Sequence, residues 1–165
     1  MKRYLNNKIN YFAIVLIFCS LDQFSKIYIN LNLDKLLNKD LLIFTIEFVR
    51  NYGAAFNILS GSRLFLSFIS VISTIILSYF IFIRENELIN KYGLSFILAG
   101  SIGNGIDRIL NGYVIDFIKI KSIDFPVFNI ADIVINIGVL ILMISYFRYK
   151  NCLLYTSDAA DERLS

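Results

Sequence analysis

Apolar residues of this chain fall into four long stretches, each closed by a short polar interval. Leu64 to Ile83 is the clearest, with no charge anywhere in it. At 1.5 Å per residue such a stretch is long enough to cross the roughly 30 Å hydrocarbon core of a bilayer. Tyr11 to Leu21 is likewise uncharged and sits inside a first predicted helix over about 9–29. The second predicted span is 64–83. The third, about 92–111, stays uncharged until Asp107. The fourth, about 127–147, is interrupted by Asp132 and Asn136.

Residues 30 to 62 follow a different pattern. Leu41 to Val49 is rich in β-branched and aromatic residues, Arg50-Asn51-Tyr52-Gly53 reads as a turn, and Ala54 to Leu59 as a returning strand. The predicted fold class is therefore a membrane all-α core: four transmembrane helices with a small extracytoplasmic β cradle, about 41–59, between helices 1 and 2. Residues 1–151 form one integral-membrane domain on this reading.

Composition agrees with lipid as the solvent. Of 165 residues, 57% are hydrophobic and 18% charged, where a soluble domain carries about 25% charged. A net charge of +3, with no basic run longer than Lys2-Arg3, gives nucleic acid nothing to bind. Histidine is absent, and Cys19 and Cys152 lie far apart. That excludes a Ser-His-Asp triad, a Cys-His dyad and the usual zinc sites, so no metal and no cofactor is called for.

Lys2, Arg3 and Lys8 precede the first span with no acid among them. Four spans put both termini on one side, and these charges favour the cytoplasm. A cleaved lipoprotein signal ending at Cys19 is the weaker reading, because the bulky Phe18 stands where such sites need a small residue. The acidic, small-residue stretch over 152–165 departs from the rest. It resembles the translation of a transposase adapter used in sequencing libraries and is set aside as non-native.

Charge inside the apolar segments is where chemistry is expected, because an ionised side chain in a bilayer costs roughly 2.5–3.5 kcal/mol on insertion scales. Asp22 and Lys26 are spaced i,i+4 and can neutralise one another. On a helix, Asn104, Asp107, Arg108 and Asn111 share an arc of about 100°, and Asn129, Asp132 and Asn136 one of about 60°. These two polar stripes are expected to face each other. The link from Gly112 to Pro126 is short, so Asp116 and Asp132 approach the same membrane surface. Two carboxylates in a poorly hydrated site cannot both ionise cheaply, so one keeps its proton. Such a pair can activate water with one member and polarise a carbonyl with the other. The small residues Ala99, Gly100, Ser101, Gly103 and Gly105 serve either close helix packing or a substrate-facing wall.

With these residues the chain resembles the lipoprotein signal peptidases, or signal peptidase II, over nearly all of 1–151. The resemblance rests on Asp22-Gln23-Phe-Ser25-Lys26, Asn51-Tyr-Gly53-Ala-Ala55-Phe56, Gly103-Asn104-Gly-Ile-Asp107-Arg108 with Gly112-Tyr-Val-Ile-Asp116-Phe117, and Phe128-Asn129-Ile-Ala131-Asp132. Four blocks in order are a specific signal. The resemblance implies an aspartic endopeptidase of the bacterial inner membrane, acting on lipid-modified prolipoproteins beside membrane lipids, with its active site near the outer surface. It implies Asp116 and Asp132 as the catalytic dyad, Asn51, Asn104, Arg108 and Asn129 as substrate-binding, and Asp22, Lys26, Asp107, Gly103 and Gly112 as structural. A monomer is expected. Competing readings are a different intramembrane aspartic protease centred on Asp107, an ion- or proton-conducting protein, and a structural membrane subunit.

Overall fold

The computed structural model describes residues 2–53, 61–84 and 88–161, with side chains described over 7–53, 61–84 and 88–148. In chain order the elements are α1 (Lys2–Leu31), α2 (Leu33–Leu36), β1 (Asp40–Leu41), β2 (Phe44–Asn51), α3 (Arg63–Phe82), α4 (Leu88–Leu110), β3 (Val114–Ile120) and α5 (Ile130–Asp161). Among the described residues, three helical stretches are long and apolar enough to cross a membrane: Asn7–Leu31, Arg63–Phe82 and Ile130–Arg148. α4 is more polar, and it is the helix that α1, α3 and α5 all pack against. Its neighbours turn Phe12, Leu16, Phe24, Phe68, Ile75, Leu140 and Phe147 outward. Lipid-facing apolar surface is thus carried mainly by the outer helices, which lets α4 hold polar residues.

Close approach explains the glycines of α4. A Cβ on Gly100 would overlap the Ala131 carbonyl oxygen, and one on Gly103 would lie 2.6 Å from Asp22 Oδ2. Between helix packing and a substrate-facing wall, packing accounts for these two positions. α4 ends at Leu110, and Gly112 takes φ +85° while its N–H bonds the Asp107 carbonyl at 3.2 Å. A left-handed residue two past the last helical one is the usual glycine stop.

The sheet is antiparallel in the order β1-β2-β3. Here the structure adds a pairing that the expected hairpin of 41–59 did not include. Besides β1, β2 pairs with Val114–Ile120, from the stretch read as a plain connection between helices. The expected returning strand at 54–59 lies outside the described residues. Val-Ile-Asp-Phe-Ile-Lys-Ile is β-branched and aromatic enough for a strand buried on both faces at its start, where Val114, Ile115, Asp116 and Phe117 are all buried. Beyond β3, Phe128 exchanges backbone hydrogen bonds with Ile118 (2.8 and 3.1 Å), tying the entry of α5 to the strand. Ile29 of α1 packs with Ile115 and Phe117, which fixes the sheet against the helices.

Candidate active site

α5 begins at Ile130, so Asn129 is its N-cap rather than a residue on the helix face. Asn129 Oδ1 accepts from the Asp132 N–H at 3.0 Å, and Asp132 Oδ2 accepts from the Asn129 N–H at 3.1 Å. This reciprocal pairing is a capping box built from Asn and Asp. It satisfies helix-end donors and fixes the Asp132 carboxylate at the positive end of α5. Its other oxygen, Oδ1, accepts from Asn104 Nδ2 of α4 at 2.8 Å.

Asp116 arrives from the sheet. In the β2–β3 register Asp116 lies opposite Val49, so Asn51, two residues along, is a diagonal neighbour on the same face. Asn51 Nδ2 donates to Asp116 Oδ2 at 3.0 Å, and Asn129 Nδ2 donates to Asp116 Oδ1 at 2.6 Å. All four oxygens of the two carboxylates therefore receive an N–H. Among the described residues no ammonium or guanidinium lies within ion-pair distance of either. Burial pushes the Asp116 carboxyl up from 3.8 to about 6, the Asn51 amide pulls against it, and the Asp132 charge adds to the rise. One titratable carboxyl beside a second is the electrostatic setting of a shared proton.

Both carboxylates line a groove of about 1070 Å³ that also takes in Asn51, Asn104, Arg108, Ser101, Asn136 and the apolar Leu66, Ile69 and Phe128. Asn129 is 0% exposed, standing behind the carboxylates rather than on the groove wall. Arg108 donates from Nη2 to the Gly53 carbonyl at 3.2 Å, while its buried Nε has no hydrogen-bond partner among the described residues. Asn111 is exposed. The 104–111 arc therefore splits three ways: Asn104 faces α5, Asp107 faces α1, and Arg108 faces the groove.

Where α4 meets α1 lies a second charged cluster. Lys26 Nζ is 2.8 Å from Asp22 Oδ2 and 3.0 Å from Asp107 Oδ2, with all three side chains buried. Asp22 Oδ1 accepts from the Ala131 N–H at 2.9 Å, and Asp107 Oδ2 from the Ile115 N–H at 3.1 Å. Gln23 closes the cluster, its Nε2 within 3.0 Å of the Gly103 carbonyl and 3.2 Å of Asp107 Oδ1. Sequence reasoning quoted Gln23 without giving it a role. Its place next to Asp22 on a buried face was the available signal.

A sequence model of the family described as Signal peptidase (SPase) II matches residues 14–148. The chain belongs to the signal peptidase II family. It is accordingly a hydrolase of the aspartic peptidase type. Lipoprotein signal peptidase of Nostoc punctiforme is 37% identical over 147 residues, covering 87% of this chain and 92% of the relative. That of Enterococcus faecalis is 36% identical over 137 residues, covering 81% and 85%. A solved bacterial membrane enzyme, obtained by the in meso method at 2.3 Å resolution, is similar with TM-score 0.75 and 35% identity, covering 84% of this chain and 88% of that one. Signal peptidase II membership and the apolar helices together make this an integral membrane protein.

Proposed function

We propose that this peptidase removes signal peptides from diacylglyceryl-modified prolipoproteins, cleaving before the lipidated cysteine with water held between Asp116 and Asp132. The observation that carries the reading is the convergence of the two carboxylates at one end of an apolar groove, with every oxygen oriented by an amide or backbone N–H. Asp132, held at the N-terminus of α5, is the ionised member and takes a proton from water as it attacks the scissile carbonyl. Asp116, whose neutral form burial favours, donates a hydrogen bond and then its proton to the carbonyl oxygen. Asp132 passes the captured proton to the leaving amine, and collapse of the tetrahedral species returns a proton to Asp116. No covalent enzyme intermediate is needed.

Asn51 and Asn104 face the groove from two sides and, with Arg108, supply polar contacts for an extended peptide; Asn129 acts from behind. The substrate's acyl chains would lie along apolar walls such as Leu66 and Ile69, which is why such a site belongs at a membrane surface. Four crossings, counting α4, with both termini cytoplasmic would bring the sheet and the dyad to the outer surface of the inner membrane. The enzyme would work as a monomer, with 152–165 outside the functional domain. Incubation of the purified protein with a prolipoprotein, with and without its diacylglyceryl group, tests the reading. Cleavage of the modified form alone, immediately before the cysteine by mass spectrometry, is the expected result. A folded protein that cuts neither form, or cuts elsewhere, would refute it.

A further inference from the structure

Lys26 lies outside the groove, on α1, yet it reaches the dyad in one step. Its ammonium donates to Asn104 Oδ1 at 3.0 Å, and Asn104 Nδ2 donates to Asp132 Oδ1 at 2.8 Å. An ammonium has three protons to give and no lone pair, so only an oxygen can face it. The Asn104 amide is therefore held one way round, oxygen toward α1 and nitrogen toward Asp132. We propose that Lys26 is a positioning residue for hydrolysis: it locks the Asn104 amide so that Asp132 is offered only an N–H and stays a carboxylate able to take a proton from water.

The rest of the cluster makes that lock rigid. Asp22 and Asp107 grip the ammonium on its other sides, and Lys26 is 1% exposed, so the side chain has nowhere else to go. Asn129 Nδ2, at 3.1 Å from Asn104 Oδ1, reinforces the same orientation. Without the ammonium, Asn104 Oδ1 keeps only the Asn129 amide, whose nitrogen also serves Asp116 Oδ1 and the Ile115 carbonyl, so Asn104 can turn its oxygen to Asp132, where an amide oxygen is a partner for the protonated acid. Asp132 Oδ1 would then face a lone pair instead of a donor, a contact suited to the acid and not to the carboxylate. Among the described residues, the charged groups around Asp132 are Asp116 from β3, Arg108 and Asp107 from α4, Asp22 and Lys26 from α1, and Arg50 across the groove from β2, while α3 lines the groove with Leu66, Ile69, Ser70 and Ser73.

This rests on the reading of Asp132 as the base, and the test separates the two. The pair Lys26→Met with Asp22→Asn removes one charge of each sign, so the cluster keeps its net charge while losing the donor to Asn104. In folded protein, the acidic limb of the kcat/KM profile for prolipoprotein cleavage is expected to move up by about one pH unit, a tenfold loss on the acid side. Asn104→Ser leaves the Asp22–Lys26–Asp107 cluster whole and removes only the amide; it is expected to move the same limb in the same direction. A parent-like limb in a folded form of either variant overturns the proposal, and the second variant decides it if the first does not fold. Cleavage that survives Asp132→Asn would instead overturn the base assignment itself.

Discussion

Two pairs of carboxylates, Asp22 with Asp107 and Asp116 with Asp132, stand on or beside α4, and they are treated in opposite ways. Asp22 and Asp107 share an ammonium and each accepts a backbone N–H as well. Among the described residues, Asp116 and Asp132 receive only amide and backbone donors, and they open onto the groove. Uncompensated buried charge costs several kcal/mol, whereas a paired and fully bonded charge costs little. The first pair therefore serves as a cross-link that joins α1, α4, β3 and α5. The second is left open to the groove, with burial favouring the neutral form of Asp116.

Breaking the compensated side has the largest expected effect. Lys26→Met strands two buried carboxylates and should lower stability by about 3–5 kcal/mol, read as loss of a cooperative thermal transition in detergent. Next comes the packing that holds the pairs apart. Gly103→Leu drives side-chain carbons into the space of Asp22 Oδ2 and should cost about 1–3 kcal/mol, measured the same way.

The working side responds to pH instead. The fold raises the Asp116 carboxyl from 3.8 to about 6, so its contribution to stability is full below pH 4 and is lost as pH rises through 6. Asp116→Asn should remove that dependence, and melting curves between pH 4 and 7 would show a flatter slope than the parent's. The Asn51 amide favours the charged form of Asp116, so Asn51→Ala should carry the alkaline limb of the cleavage profile to higher pH. A shift in the opposite direction would contradict Asp116 as the protonated partner. The smallest effect belongs to the surface of the sheet. Asp40 and Lys121 pair at 2.9 Å in the open, and Asp40→Asn should leave the melting temperature and the cleavage rate indistinguishable from the parent's.

Much of this contrast was legible before any coordinates. Asp22 and Lys26 at helical spacing do form an ion pair, and the polar stripes around Asn104 and Asp132 do meet. Periodicity sees side chains along one helix, however, and three features depend on other elements. Val114 to Ile120 pairs with β2, more than sixty residues earlier, and read alone it was indistinguishable from an apolar link. Asn129 stands outside α5 because its amide and Asp132 cap the helix reciprocally; a wheel drawn through both cannot show that. Asp107 and Arg108 are neighbours in sequence that face different partners, Lys26 and the groove, because α4 is enclosed by three helices. The steric demand at Gly100 and Gly103 is equally non-local, set by Ala131 and by Asp22.

The central claim is that Asp116 and Asp132 do the chemistry while Asp22 and Asp107 hold the frame. It is tested most directly by the rate of diacylglyceryl-prolipoprotein cleavage per folded molecule for Asp116→Asn and Asp132→Asn beside the parent. Both variants are predicted to keep the parent's cooperative melting and to lose cleavage by roughly a thousandfold or more, within the range that general acid–base groups supply. Either variant cutting at the parent's rate would contradict the account.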